Sequence, residues 1–160
     1  MSDFEAFFED HYAEVLRSVA LAIDDHSRAE DVTQEAFARA FRKWRTVSQM
    51  DRPVGWVYVV ALNAERSRWR RERREQREDD NTAEATVAAD PAGPVVATVV
   101  LRDALTQLTS RQRAAVVLRF LADLTVADIA GVMGCAEGTV KATLHQALRK
   151  LRVELEGSEL

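Results

Sequence analysis

Thr139, Lys141, Thr143, His145 and Gln146 lie on the polar side of "GCAEGTVKATLHQALRKL", residues 134–151, which reads as a glycine turn and then a helix with an apolar opposite side. Hydroxyl, ammonium, imidazole and amide groups at helical spacing suit contacts with base edges and phosphates in a DNA groove. A second concentration of chemistry is "RSRWRRERREQR", residues 66–77, with Trp56 and Tyr58 upstream. Arg68 and Glu72, Arg71 and Glu75, and Arg74 and Glu78 stand four apart and partly neutralise one another, yet an excess of positive charge remains. Trp56 and Trp69 suit core packing as well as stacking. His11, His26, His145 and Cys135 form no HxxxH or CxxC spacing and no nucleophile has a local signature, so no metal, cofactor or catalytic centre is expected.

Charge is sorted along the chain, whose net value is −4. Residues 1–62 and 79–100 are acidic on balance, residues 63–78 hold seven arginines against four glutamates, and residues 101–160 are nearly even. The distribution, more than the sum, decides whether a chain can meet nucleic acid. At 160 residues there is room for one ordinary domain or two small ones. A single cysteine, no basic-then-apolar start and no apolar run near the roughly 20 residues of a membrane span point to the cytoplasm, with no membrane insertion.

Amphipathic helices must carry these side chains. Phe4, Phe7, Phe8, Val15, Leu16, Val19 and Ile23 predict a first helix over Asp3–Ile23. Ser27 with Glu30 reads as a capping box for a second helix reaching about Arg45, with Val32, Phe37, Ala40, Phe41 and Trp44 buried. Its far side shows Asp31, Gln34, Glu35, Arg39 and Arg42. Asp51 and Pro53 suit the cap and first turn of a third. "VGWVYVVAL" fits a strand by propensity, but it continues without a breaker into "NAERSRWRRERREQRE", which predicts one rod of about 25 residues. Residues 79–94 lack apolar periodicity and read as an acidic linker. Leu101, Leu105 and Leu108 mark a fourth helix, "TSRQ" at 109–112 caps a fifth, and "TVAD" opens a short sixth that Gly134 ends. The predicted fold is all-α: two small helical domains, 1–78 and 95–156, joined by the flexible linker 79–94. Ala130, Gly134 and Val140 stand at helix-turn-helix spacing, which would place the polar side of residues 137–149 in a major groove.

Taken together, "AEDVTQEAFARAFRKW", "RPVGWVYVVALNAERSRWRR" and "LTSRQRAAVVLRFLADLTVADIAGVMGCAEGTVKATLHQALRKLR" resemble the two conserved regions of bacterial sigma factors of the extracytoplasmic-function (ECF) type, in the sigma-70 family. The resemblance covers nearly the whole chain in the right order. It implies an alternative sigma factor, the promoter-recognition subunit of RNA polymerase, whose partners are core polymerase, promoter DNA and, in many members, an anti-sigma factor. It places Asp31, Gln34, Glu35 and Arg39 on the polymerase-binding surface. Trp56, Tyr58, Asn63, Arg66 and Arg70 fall on the helix that meets the melted minus-ten strand, where a basic groove with aromatic faces would reward single-stranded bases at roughly 1–3 kcal/mol per stacked base, and Thr139, Lys141, Ala142, Thr143, His145 and Gln146 on the helix that reads the minus-thirty-five duplex. The chain departs from the family where Val59 and Leu62 replace frequent arginines, Ser67 replaces a common aspartate, and Ala136 replaces the usual Ser or Thr cap.

Three other readings compete: a stand-alone helix-turn-helix regulator, an enzyme, and a module that occupies polymerase or an anti-sigma factor without opening promoters. The first lacks a ligand or receiver signature in the N-terminal unit, and the second lacks any catalytic motif.

Overall fold

The computed structural model describes residues 2–23, 25–66, 69–71, 74–75 and 96–157, and every regular element among them is helical. Helix α1 (Asp3–Ile23) has the predicted span and buries Val15, Val19, Ala22 and Ile23. Its first half is aromatic: Phe7 lies 4.9 Å from Trp44 and Phe8 meets Phe37 edge-on at 5.3 Å, centroid to centroid. Such pairs add to the stabilisation from burial alone.

Helix α2 (His26–Arg42) begins earlier than Ser27 predicts. The cap is Asp25, in extended conformation, whose Oδ1 accepts from the Arg28 amide at 3.1 Å. Ser27 is already helical, so its capping box with Glu30 does not form. Asp25→Ala is expected to lower stability by about 1 kcal/mol. A thermal unfolding midpoint equal to that of the parent would remove Asp25 from this role. At Lys43 the helix ends, and the short α3 (Trp44–Val47) carries the chain onward.

Helix α4 (Pro53–Asn63) resolves the strand-or-helix ambiguity in favour of helix. Pro53 stands in its first turn as expected, but the cap position is Arg52, with no side-chain cap bond from Asp51. The predicted single rod is interrupted at Ala64 and Glu65, and helix resumes at Arg66 and in the described residues 69–71 and 74–75. The cause is tertiary. Glu65 is only 1% exposed, with its Oε1 2.5 Å from Arg28 Nη2, and the amide of Glu65 bonds back to Leu62 O in a tight three-residue step. A buried carboxylate requires such a partner, and helical propensity alone does not report it.

After residues 79–94, where the predicted linker lies outside the described residues, four helices follow. These are α5 (Val96–Thr106), α6 (Ser110–Val116), α7 (Val126–Met133) and α8 (Glu137–Gly157). Both expected capping boxes form, Thr109 with Gln112 and Thr125 with Asp128. Helix α6 runs on through one wide turn, Val117–Leu121, closed by the Ala122 amide on Val117 O at 3.0 Å. Leu105 and Leu108 are buried as predicted, whereas Leu101 is exposed because it lies on the outer side of α5. Arg113 is buried and donates to Leu105 O, in the last turn of α5, and to Leu108 O, two residues past its end.

The two units pack against each other. Helix α1 lies on α6 and the wide turn, α4 lies on α7, and the buried residues of both units form one continuous core.

Candidate DNA and polymerase interfaces

Helices α7 and α8 make the predicted helix-turn-helix. Gly134 adopts φ 67° and ψ 41°, its amide bonds back to Ala130 O at 2.9 Å, and Ala130 and Val140 are buried at the crossing. This left-handed conformation is one that glycine takes without the Cβ penalty, and it redirects the chain into α8. The exposed side of α8 presents Lys141, Ala142, His145 and Gln146, with Thr139 half-buried near its start.

Thr143 does not share that face. It is 3% exposed, and its hydroxyl donates to Thr139 O at 2.8 Å, so a residue counted as polar is satisfied within its own helix. Arg149 does share the face and was missed. The signal was available, since it lies seven residues beyond Ala142 and four beyond His145.

The minus-ten candidates separate in the same way. Asn63 and Arg70 are exposed, Arg66 is half-buried, and Trp56 is partly buried against the core. Tyr58 is 1% exposed, and burial pushes its phenol above the ordinary tyrosine pKa, so it is a core residue and not part of the surface. Trp69 is buried too, which decides between stacking and core packing for that ring. Leu62 has no exposed surface, so its replacement of a frequent arginine alters the core rather than the charge of the outer face. Ser67 lies outside the described residues.

Arg66 and Arg70 have partners in the other unit. Arg66 Nε donates to Val132 O at 3.1 Å and its Nη2 to Gly131 O, while Arg70 Nη2 donates to Gly134 O at 3.3 Å.

On α2, Asp31, Gln34, Glu35 and Arg39 are all exposed along one side. Glu35 Oε1 accepts from Arg39 Nε at 3.0 Å and from Arg42 Nη2 at 3.3 Å. The Arg39 hydrogen bond, opposed by desolvation and aided by the charges of both arginines and the Arg42 hydrogen bond, holds the Glu35 carboxyl below its usual pKa. Phe41 departs from the expected buried stripe. It is 63% exposed, seven residues beyond Gln34, with its ring edge-on to Phe4 at 5.1 Å. Among the described residues, no group of three or more His, Cys, Asp and Glu side chains is placed to hold a metal ion, and no helix is long and apolar enough to cross a membrane.

Two family models match the chain, sigma-70 region 2 over residues 7–75 and sigma-70 region 4 over residues 98–151. The chain is also 30% identical to the RNA polymerase sigma-E factor of Streptomyces coelicolor over 158 residues, 99% of this chain and 89% of that protein. The chain belongs to the sigma-70 family of RNA polymerase sigma factors. It is 31% identical to the ECF RNA polymerase sigma factor SigL of Mycobacterium tuberculosis over 155 residues, 94% of this chain and 88% of that one. Its fold matches the sigma factor RpoE of Bartonella quintana, crystallised with the anti-sigma factor NepR, at a TM-score of 0.68 and 22% identity, covering 99% of this chain and 100% of that chain. This ECF sigma factor is an alternative sigma factor that works with RNA polymerase and directs promoter-specific transcription initiation.

Proposed function

We propose that the sigma factor divides promoter recognition between its units. Residues 1–78 grip core polymerase and the melted minus-ten strand, residues 95–156 read the minus-thirty-five duplex, and 79–94 tether them. The observation that carries this reading is the exposed row of Lys141, Ala142, His145 and Gln146 on a helix whose entry is set by a left-handed glycine. A helix so presented enters a major groove with its first turns on base edges. Lys141 holds a phosphate, His145 and Gln146 face bases, Thr139 supports the entry, and Arg149 adds a second cation to the same face. Asn63, Arg66 and Arg70, with the accessible part of Trp56, meet the single strand. Asp31, Gln34, Glu35 and Arg39, joined by the exposed ring of Phe41, form the polymerase contact. Tyr58 and Thr143 support these surfaces from inside.

The factor is non-enzymatic and acts in the cytoplasm, where its polymerase works. An anti-sigma factor, like the one bound to the Bartonella protein, would regulate it by covering these surfaces.

Lys141→Ala tests the duplex contact. Binding to a minus-thirty-five fragment is expected to weaken, and the slope of log affinity against log salt to become shallower by about 1, because one fewer counterion is released. An unchanged slope measured by fluorescence anisotropy would take Lys141 off the phosphate.

A further inference from the structure

Glu65 is the most enclosed charged side chain among the described residues, and its partner lies on another helix. Its Oε1 stands 2.5 Å from Nη2 of Arg28, in the first turn of α2, and the Glu65 and Arg28 side chains are 1% and 46% exposed. The contact coincides with the interruption that follows α4. There the Glu65 amide bonds to Leu62 O at 2.9 Å in a three-residue step, and the four-residue bond of an α-helix returns from the Trp69 amide to Glu65 O at 3.1 Å.

The step changes the phase of the residues after it. A three-residue turn carries the chain round by about 60° more than three residues of α-helix do, and the side chains at its two ends eclipse. Glu65 therefore shares the buried side of Leu62, and Trp69, four residues on, is buried with it. On the outer side Arg66 comes into line with the exposed Asn63, three positions earlier, and Arg70 follows one turn later. In an uninterrupted helix Arg66 would stand about 60° round from Asn63, toward the buried Leu62.

We infer that Glu65, held by Arg28, is a positioning residue for the minus-ten strand: by drawing the chain inward at the step it brings Asn63, Arg66 and Arg70 into one row. This rests on the proposed role of those three residues at that strand. Glu65 is too deeply enclosed to touch DNA, and its carboxylate would repel a phosphate, so it acts through the row. Groups already in place bind a strand more tightly than groups that must be ordered on contact.

The test measures the binding of a fluorescein-labelled (dT)12 strand by anisotropy, with the sigma factor assembled on core polymerase and core alone as background, beside the thermal unfolding midpoint of the free chain. Arg28→Ala keeps the amide that Asp25 caps but leaves the Glu65 carboxylate enclosed without its guanidinium, which is destabilising. Glu65→Ala leaves a guanidinium that is already partly in water, and it installs the residue of highest helix propensity, which favours an unbroken rod. The midpoint is therefore expected to fall further for Arg28→Ala than for Glu65→Ala. Strand binding is expected to weaken alike in both, by about ten-fold, and no further in the double variant, because the pair acts as a unit. Glu65→Gln, which still offers Arg28 an acceptor oxygen, is expected to bind within about three-fold of the parent.

Parental binding by Glu65→Ala, with Arg66→Ala and Arg70→Ala still weakening it, would overturn the positioning role and leave the minus-ten role intact. Binding that falls in step with the unfolding midpoint across all the variants, Glu65→Gln included, would make Glu65 a support of the fold alone and overturn positioning as well. If Arg66→Ala and Arg70→Ala leave binding unchanged, the minus-ten role itself fails.

Discussion

Gly134→Val is expected to destabilise the chain by about 2 kcal/mol and to abolish recognition of minus-thirty-five DNA. At φ 67° an L-residue meets a penalty of roughly 1–2 kcal/mol, and branching at Cβ raises it further. The new side chain would also push into Arg70 and Arg66, but these are the ends of flexible chains and can withdraw. The strain that remains is therefore backbone strain at the turn joining α7 to α8. In a chain of this size the unfolding midpoint should fall by roughly 4–8 °C. Gly134→Asn provides the graded comparison, since asparagine enters the left-handed region more readily than valine. Equal losses for Asn and Val would mean that side-chain volume, not φ, limits this position.

Glu35→Arg is expected to weaken holoenzyme assembly at least 100-fold while leaving the helical fold in place. On the exposed side of α2 the Glu35 carboxylate is bound by Arg39 and Arg42, and the substitution would set three guanidiniums side by side. Within the helix, like charges four residues apart cost only a few tenths of a kcal/mol, and α2 keeps its Asp25 cap and its buried Ala36, Phe37 and Ala40. Across an interface, a charge reversed so that it is desolvated without an opposite partner costs several kcal/mol, because both surfaces lose water together. Asp103→Arg, an exposed charge reversal in the other unit, is the control. Native gel shift or size-exclusion with core polymerase distinguishes the two variants. Assembly equally impaired by both would move the effect from the surface to net charge.

Local chemistry was legible where a few neighbouring residues decide the structure. The boxes Thr109–Gln112 and Thr125–Asp128, the turn at Gly134 and the span of α1 each depend on side chains within one or two turns. Asp25 against Ser27 was a contest between two capable caps, and the distinction lay in where the backbone left extended conformation. What sequence did not convey was long-range. Glu65 interrupts the predicted rod because Arg28, 37 positions earlier, receives its carboxylate. Tyr58 and Thr143 have polar groups that suggest a surface, yet packing places one ring in the core, and a bond to Thr139 O satisfies the other hydroxyl. Phe41 shows the reverse, an apolar residue at a core-like spacing left outside where α2 ends beside α1. The embrace of the two units was equally hidden, since its acceptors are backbone carbonyls, which every residue possesses.

One departure from the family, at Leu62, is less severe in the fold than in the alphabet. Leu62 is inside the core, where an arginine's charge would be costly, so the loss of a cation there removes nothing from the outer surface.

Run-off transcription on a fragmented genomic library, with purified core polymerase and with or without the sigma factor, followed by sequencing of the transcript starts, tests promoter-directed initiation most directly. Starts that appear only with the factor and share two spaced upstream elements are the predicted result. Polymerase that binds the factor yet gains no new starts would contradict the account and favour a module that occupies polymerase without opening DNA.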